Sequence, residues 1–263
     1  MNSLIKYYGG KTYMTDILLS HFPSKFDYKV YVEGFGGGAS LLFAKEPDRI
    51  EVYNDLDKNV YSLFKVLSDP DKFSRFKEKL DLTPYSRDLW EEYKKDLRGD
   101  LDMEDRAYKF FYVNRTSFNG IGSFAVTQST SRRNMMKNVS DYLSTVDRLE
   151  DYHQRVSRVC IENRDIFDLL DKYDSPSSFV YLDPPYVQET RKSNQKYLQE
   201  FTDDQHKKLV DYCRNMKGKV LISGYDHPIY EGLKGFQKIQ FPSPNANWKT
   251  SKSNAIETLW KNY

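Results

Sequence analysis

Short runs of β-branched and aromatic residues alternate with helical segments near both ends of the chain, and this alternation restricts the possible folds more than any other feature. The runs that predict strands cover residues 29–33, 50–53, 156–161, 178–182, 219–223, 236–241 and 255–260. Helical spacing covers residues 39–44 and 59–67, and a capping-box sequence at Thr202 predicts a helix through about Met216. Strands connected by helices are typical of parallel sheets. We therefore predict an α/β fold with a doubly wound, mostly parallel, Rossmann-like sheet.

Residues 57–150 do not continue this alternation. They carry helical and loop signals without strand runs between them. We therefore predict that residues 1–56 and 151–263 form one domain built on the sheet, and that residues 57–150 form an inserted, mainly helical second domain.

Composition and cysteine usage exclude several classes of protein. No stretch approaches the roughly 18 apolar residues of a membrane span. We see no secretory signal in the first residues and expect no membrane partner. The low cysteine usage suits a reducing cytoplasm, so we expect a cytoplasmic location. The 2 cysteines and 4 scattered histidines provide neither a disulfide framework nor metal-ligand spacing, so no metal site is predicted.

Basic residues are concentrated in two windows, although the net charge of the chain is only 40 − 38 = +2. Residues 106–137 contain 6 basic residues and no acidic one, and residues 232–256 contain 4 lysines and again no acid. Segregated charge indicates a surface that binds a polyanion. The alternative is a flexible basic loop that has no partner.

A glycine-rich segment follows the first predicted strand and precedes a helix. Residues 34–39, Gly-Phe-Gly-Gly-Gly-Ala, fit the pattern G-x-G-x-x-A, in which glycines let backbone amides approach a ligand closely. Asp55 lies 19 residues after Gly36, where a carboxylate can accept hydrogen bonds from ribose hydroxyls. By itself the pattern predicts a cofactor that contains a nucleoside, and a chance glycine turn is the alternative.

The sequence Asp183-Pro184-Pro185-Tyr186 directly follows another predicted strand. Two prolines stiffen the backbone and remove two N–H donors, so the Asp183 carboxylate and the Pro184 carbonyl can form a rigid pair of acceptors. With the flat ring of Tyr186, they suit a planar exocyclic amine such as that of adenine. The alternative is a stiffened strand end with a buried tyrosine.

A third motif lies at the N-terminus, where residues 6–11 read Lys-Tyr-Tyr-Gly-Gly-Lys. A glycine pair between aromatic residues and a lysine can wrap a nucleoside and neutralise a carboxylate, although a frayed terminus is the simpler interpretation.

Taken in their order along the chain, the three motifs resemble those of the Dam-type DNA adenine-N6 methyltransferases. That family carries an aromatic segment with Gly-Gly-Lys, a glycine-rich cofactor turn, Asn-Asp after the second strand, an inserted target-recognition domain and Asp-Pro-Pro-Tyr. The corresponding residues here are 7–11, 33–40, 54–55 and 183–186, with 115–120 inside the insertion and 257–263 similar to the last strand. The resemblance covers essentially the whole chain.

The resemblance implies a methyltransferase sheet, a target-recognition insertion at residues 57–150 and S-adenosyl-L-methionine as methyl donor. The implied catalytic residues are Asp183, Pro184, Pro185 and Tyr186. The implied cofactor contacts are Tyr7, Lys11, Glu33, Phe35, Gly36, Gly37, Gly38, Ala39, Ser40, Asp55, Asp165, Ile166 and Asp183.

The candidate DNA-binding residues come from the first basic window: Arg115, Ser117, Phe118, Asn119, Gly120, Arg132, Arg133 and Lys137. Phe118 would fill the gap left by a flipped base, or else it is an ordinary core aromatic. Ser123 stands where family members that read GATC place an arginine, the usual reader of guanine, so Arg132 or Arg133 is the alternative reader here.

Five or six phosphate contacts would predict a slope of log affinity against log salt of about −5. Residues 187–199 predict a loop that orders over the site when DNA binds, and a merely disordered loop is the alternative.

We therefore predict a site-specific enzyme that methylates N6 of an adenine flipped out of duplex DNA. Cytosine presents the same two amine hydrogens, so N4-cytosine methylation is the nearest alternative, and RNA is an alternative substrate. A NAD-dependent dehydrogenase and a catalytically silent DNA-binding module are alternatives from other classes. We expect a monomer or weak dimer, with a cognate restriction endonuclease in the same cell as a candidate partner.

Overall fold

A computed structural model describes residues 1, 3–7, 11–187, 201–242 and 256–263 of the chain. Within these ranges there are seven strands: β1 (Val30–Glu33), β2 (Ile50–Asn54), β3 (Cys160–Glu162), β4 (Ser178–Leu182), β5 (Lys219–Tyr225), β6 (Gln237–Pro242) and β7 (Ile256–Lys261). The same ranges contain ten α-helices: α1 (Thr15–Ser20), α2 (Ser40–Ala44), α3 (Lys58–Ser68), α4 (Pro70–Asp81), α5 (Arg87–Asp96), α6 (Met103–Thr116), α7 (Lys137–Asp147), α8 (Leu149–Val156), α9 (Ile166–Tyr173) and α10 (Asp203–Asn215). Short 3-10 helices lie at Thr12–Met14, Phe118–Gly120 and Pro228–Gly232.

The chain forms two compact units, each made of three segments. The helical unit contains Met1–Ile17, Gly37–Glu46 and Asp57–Asn163, and the sheet unit contains Leu18–Gly36, Pro47–Leu56 and Arg164–Tyr263. The chain passes from the sheet unit to the helical unit inside the glycine-rich segment, between Gly36 and Gly37. That residues 57–150 are a DNA-recognition insertion stays a prediction.

The sheet unit carries a mostly parallel sheet. Six of its strands pair in the order β2-β1-β4-β5-β7-β6. Strands β2, β1, β4 and β5 are parallel, and β7 runs antiparallel to both β5 and β6. The predicted α/β class with a mostly parallel sheet is therefore confirmed.

Alternate residues of the central strands face two different layers. Val32, Val180 and Leu182 belong to a hydrophobic core that also contains residues of α9 and α10. Tyr31 and Phe179 lie in an aromatic cluster, where the ring of Phe22 meets that of Phe179 edge-on at 4.7 Å. This period of two is what a strand buried on both faces requires.

The helical unit is built from capped amphipathic helices. The side chains of Asp57, Asp69, Ser86 and Asp102 each accept a backbone N–H in the first turn of α3, α4, α5 and α6, respectively, which satisfies donors that a helix leaves open. Helix α3 packs against α4, α6 and α8.

Most predicted elements are confirmed, with one error. The capping box at Thr202 is present, and α10 ends at Asn215. The strand predicted at 156–161 is wrong in its first half, because Val156 ends α8 and β3 begins only at Cys160. Leu149, Tyr152 and Val156 are all buried at a spacing of three and four, which is the period of a helix. Among the described residues, none of the helices combines the length and the apolar character that crossing a membrane requires.

Candidate active site

The carboxyl ends of β1 and β4 meet where the order of the sheet reverses. From β1 the chain continues to β2 on one side, whereas β4 lies on the other side and leads to β5. The register pairs Glu33 with Tyr181, so the residues that follow these two strands are neighbours. Open α/β sheets bind ligands in the crevice at such a switch point.

Asn54, the last residue of β2, joins two of the turns at this edge. Its amide nitrogen donates to the carbonyl oxygen of Gly34 at 3.0 Å and to that of Arg164 at 3.1 Å. Its amide oxygen accepts from the backbone N–H of Arg164 at 2.8 Å. Since Asn54 is only 2% exposed, these bonds are shielded from water and hold the glycine turn firmly.

Close packing explains the glycine at position 36. A Cβ atom there would overlap the ring of Tyr53, and the backbone N–H of Gly36 donates to the carbonyl oxygen of Asn54 at 2.8 Å. Phe35, in the same turn, is half-buried and packs edge-on against Phe201 at 5.5 Å. The turn is therefore anchored on both sides by packing.

Two acidic side chains lie near the ends of β1 and β2. Glu33 and Asp55 are both buried, and the hydroxyl of Tyr31 donates to Oε2 of Glu33 at 2.9 Å. Burial, helped by the Glu33 carboxylate, raises the pKa of Tyr31 well above its usual value, so this hydroxyl remains a donor.

Asp165 and Ile166 begin α9. The carboxylate of Asp165 caps the helix by accepting the backbone N–H of Phe167 at 2.9 Å. Ile166 is buried, and its Cδ1 atom lies 2.8 Å from where a Cβ on Gly34 would stand. Both residues therefore shape the same edge of the sheet.

Asp183 directly follows β4 and is held by its neighbour strand. The hydroxyl of Ser223 donates to Oδ1 of Asp183 at 3.0 Å, and the hydroxyl of Tyr181 lies 2.8 Å from the oxygen of Ser223. Asp183 is half-buried, while Pro184 is buried and Pro185 is half-buried.

Tyr186 is fixed at its hydroxyl and on one face of its ring. The hydroxyl donates to Oε1 of Glu257 at 2.9 Å, and the ring stacks on Tyr225 with centroids 4.1 Å apart and an interplanar angle of 18°. Tyr225 and Glu257 are register partners in β5 and β7. One face of Tyr186 is thus covered by protein.

The helical unit holds the rest of the predicted cofactor residues. Gly37 adopts a φ of +49°, and a Cβ there would lie 2.8 Å from the ring of Tyr7. Gly38 packs beside Ser3, whose hydroxyl donates to its carbonyl oxygen at 2.7 Å. Ala39 is left-handed with a φ of 53°, a strained conformation that is concentrated at functional sites, and it precedes Ser40, the first residue of α2. Lys11 is buried at 4% exposure, whereas residues 8–10 of the same motif lie outside the described residues.

A tight hairpin presents Phe118 and Asn119. Ser117 pairs with Phe124, and the backbone N–H of Phe118 donates to the carbonyl oxygen of Ser123 at 2.8 Å. Phe118 is 64% exposed, which excludes the core interpretation of this ring. Asn119 adopts a φ of 51° at the exposed tip of the hairpin.

The base of the hairpin is tied to the N-terminal segment. Asn114 exchanges two hydrogen bonds of 2.9 Å with the backbone of Lys6, and Nζ of Lys6 donates to the carbonyl oxygen of Ser117 at 3.0 Å. Gly120 is required at its position, because its φ is +81° and a Cβ would collide with the carbonyl oxygen of Lys6. The segment that carries Tyr7 therefore supports the hairpin.

Two predicted DNA contacts are bonded to other residues of the helical unit; Ser117 is buried and Arg115 is half-buried. Ser117 is 1% exposed; its hydroxyl donates to the carbonyl oxygen of Val113 at 2.6 Å and accepts from Nε1 of Trp90 at 2.8 Å. The guanidinium of Arg115 donates to Oγ1 of Thr145 at 2.6 Å, and burial lowers its pKa. Their contacts support the hairpin from inside.

Three predicted DNA contacts are exposed on a second turn. Residues 130 and 136 pair as a bridge, and the backbone N–H of Ser131 donates to the carbonyl oxygen of Met135 at 2.8 Å. Arg132, Arg133 and Lys137 are all exposed there, and Arg133 forms a surface ion pair of 3.3 Å with Asp147. The basic loop predicted at 187–199 lies outside the described residues beyond Val187, as do Lys249 and Lys252 of the second basic window.

In the sheet unit, sequence reasoning missed Asn54 as a link between turns, Ser223, Tyr225 and Glu257; in the helical unit, it missed Asn114. A polar residue at a strand end was the available signal for Asn54, whereas the partners of Ser223 and Glu257 depend on strand register. Among the described residues, no group of three or more His, Cys, Asp or Glu side chains is arranged to hold a metal ion.

Comparison with known proteins finds a matching family and several similar methyltransferases. The family model described as D12 class N6 adenine-specific DNA methyltransferase matches residues 7–246. The chain is 24% identical to "Type II methyltransferase M.MjaIII" of Methanocaldococcus jannaschii, over 98% of both proteins. It is 25% identical to "Type II methyltransferase M1.LlaDCHI" of Lactococcus lactis subsp. cremoris, over 98% of this chain and 94% of the relative. It is also 24% identical to "Type II methyltransferase M.CviBI" of Paramecium bursaria Chlorella virus NC1A, over 88% and 90%.

Proposed function

Because the chain belongs to the D12 class of N6 adenine-specific DNA methyltransferases, we propose that it methylates a flipped adenine with the Asp183–Tyr186 segment as its catalytic centre. The enzyme is an adenine-N6 DNA methyltransferase, and the family implies catalysis that depends on S-adenosyl-L-methionine. The observation that carries the catalytic assignment is the position of Asp183 at the switch point of the sheet, held there by Ser223.

The residues at the carboxyl edge fit the chemistry of this cofactor. Buried carboxylates at Glu33 and Asp55 suit hydroxyl and ammonium donors, and the glycine turn that follows Glu33 lets the backbone come close to a ligand. Phe35, Asp165 and Ile166 would border the same ligand. From the helical unit, Tyr7, Lys11 and the residues Gly37, Gly38, Ala39 and Ser40 are the further proposed contacts.

The bound cofactor supplies an electrophilic methyl group on a sulfonium. The residues of this chain have to make the adenine amine a competent nucleophile, since its lone pair is delocalised into the ring. Hydrogen bonds from the amine to Asp183 and to the Pro184 carbonyl favour pyramidal nitrogen, which localises the lone pair and orients it for attack. The same acceptors stabilise the positive charge that develops on nitrogen. The ring face of Tyr186 opposite Tyr225 would stack on the flipped base, which is worth about 1–3 kcal/mol.

The proposed DNA contacts divide into two kinds. The exposed ring of Phe118, with Asn119 and Gly120 in the same hairpin, would fill the space that the flipped adenine leaves. Arg132, Arg133 and Lys137 would bind phosphates, and Arg132 or Arg133 would read a base edge in place of the missing arginine at 123. Arg115 and Ser117 would shape the hairpin without touching DNA.

The biological setting is proposed from the relatives, all of which are named type II methyltransferases. The chain would act in restriction–modification, with duplex DNA as its substrate and a cognate endonuclease in the same cell. A monomer or weak dimer suits this role, because one flipped base occupies one site.

Changing Asp183 to alanine tests the assignment. We expect methyl transfer to DNA to be abolished while the protein stays folded, whereas Asp168→Ala, an exposed aspartate on α9, should keep its activity. Digestion of the methylated DNA and mass analysis of the nucleosides should give N6-methyladenine and no N4-methylcytosine. Calorimetry should detect S-adenosyl-L-methionine binding and no NAD binding. Full activity of Asp183→Ala would overturn the proposal.

A further inference from the structure

We propose that Ser223 is a positioning residue that holds the Asp183 carboxylate in its reactive orientation, with Tyr181 as the donor behind it. The inference depends on the proposed catalytic role of Asp183 and extends it to two residues that belong to no recognised motif of this chain. It begins with the hydrogen bond of 3.0 Å from Ser223 Oγ to Asp183 Oδ1.

The direction of the hydrogen bonds follows from their chemistry. An ionised carboxylate only accepts, so the single hydroxyl hydrogen of Ser223 points to Asp183. The Ser223 oxygen is therefore left to accept from the hydroxyl of Tyr181, at 2.8 Å. The result is a one-way chain of donors, from Tyr181 through Ser223 to Asp183, in which each bond polarises the next.

Strand register brings these groups together. Leu182 of β4 pairs with Ile222 of β5 in the parallel register, so Asp183 and Ser223 are the next residues of the two strands. Ser223 is also paired with Leu259 of β7, which fixes its backbone on the other side. The position of the serine hydroxyl is thus set by three strands.

Burial strengthens this series of hydrogen bonds. Ser223 is 0% exposed and Tyr181 is 3% exposed, so water does not compete for the two hydroxyls. A hydrogen bond to a charged group is worth more than one between neutral groups, and more in a shielded environment. With Oδ1 held by Ser223, the plane of the carboxylate is fixed relative to the Pro184 carbonyl. Both acceptors then keep the relative direction that the adenine amine requires.

The decisive variant is Ser223→Ala, assayed in the full-length protein with S-adenosyl-L-methionine and a duplex substrate. We expect the single-turnover rate at saturation to fall about 10- to 100-fold, the range for losing a hydrogen bond to a charged group. The dissociation constants for cofactor and DNA should change by less than about 3-fold, because the lost bond acts on the reacting amine. Tyr181→Phe, which keeps the ring, should slow the same step by a smaller factor.

Ser178→Ala is the matched control. Ser178 is a buried serine of β4 whose hydroxyl donates to the carbonyl oxygen of Ser175 at 2.8 Å, at the opposite end of the strand from Asp183. It should lower thermal stability as Ser223→Ala does but leave the single-turnover rate unchanged. An equal loss of rate in both variants would mean that Ser223 is merely structural, and the proposal would fail.

A combination with Asp183→Asn separates this inference from the proposed function. If Ser223 acts through Asp183, Ser223→Ala should lower the rate of the wild type but should not lower any residual rate that Asp183→Asn retains. If Asp183→Asn abolishes methylation but Ser223→Ala has the wild-type rate, the positioning role is refuted and the catalytic assignment stands. If Asp183→Asn itself retains the full rate, the catalytic assignment is refuted, and the positioning role with it.

Discussion

The side-chain amide of Asn54 donates to the carbonyl oxygen of Gly34 at 3.0 Å, so the end of β2 holds the turn that follows β1. The same side chain also bonds the backbone of Arg164, just before α9. One buried side chain therefore sets the spacing between the glycine turn and the start of α9, both of which we assign to the cofactor.

Asn54→Ala should weaken binding of S-adenosyl-L-methionine by about tenfold or more, because losing about 1.4 kcal/mol of pre-organisation corresponds to a factor of ten. It should also lower the free energy of unfolding by about 1–3 kcal/mol, since backbone groups lose buried partners. Asn262→Ala is the control: Asn262 also bridges backbone groups, accepting from Val220 at 2.8 Å and donating to Gly218 at 3.0 Å. Calorimetry should find normal cofactor binding in that control, and equal weakening in both variants would contradict the prediction.

Phe118→Ala should lower kcat/KM on a fully paired duplex about tenfold or more, because the ring would compensate for unstacking a base, a cost of a few kcal/mol. The loss should be smaller on DNA in which the target adenine is already mismatched. Phe26→Ala removes another exposed phenylalanine, at 98% exposure compared with 64% for Phe118, and should have no effect. An equal fold loss of kcat/KM on both substrates, relative to the wild type, would argue against the wedge.

The salt dependence of DNA binding should be shallower than the sequence alone suggests. Arg115 is half-buried and donates to Thr145, and Nζ of Lys109 is 2.8 Å from Asp96, a hydrogen bond that raises the pKa of Lys109. With Arg132, Arg133 and Lys137 at phosphates, the slope of log affinity against log salt should be about −3. Arg132→Ala should reduce its magnitude by about 1, and Lys109→Ala should leave it unchanged. Fluorescence anisotropy at several salt concentrations measures the slope, and a flat response would remove the proposed phosphate contacts.

Tyr186→Phe should keep most methylation activity but destabilise the fold by about 1–3 kcal/mol, because the buried Glu257 carboxylate loses the Tyr186 donor while the stack on Tyr225 remains. Glu257→Gln retains an acceptor oxygen for Tyr186 and should be closer to the wild type in stability.

Tyr186→Ala removes the stacking face and should reduce the fluorescence change of 2-aminopurine placed at the target base. Thermal unfolding and that fluorescence signal check the two effects separately; a normal 2-aminopurine signal in Tyr186→Ala would reject the stacking role.

Local patterns in the sequence were sufficient to predict the mostly parallel sheet and to identify the family. Strands at 178–182 and 219–223, the capping box at Thr202 and the motif at Asp183 are encoded in contiguous residues, because period, caps and proline restraints act over a few positions. The strand predicted from the same kind of pattern at residues 156–161 was partly wrong, because Val156 belongs to a helix.

Only the tertiary structure decided which hydrogen-bond partners individual side chains have and how exposed they are to solvent. Asp183 and Ser223 are 40 residues apart, and only the register of β4 and β5 makes them neighbours. Composition likewise placed Arg115 and Arg132 in one basic window, although packing leaves the first half-buried and the second exposed. Residue types and short-range spacing are properties of the chain, whereas hydrogen-bond partners across a sheet and access to solvent arise only when distant segments pack together.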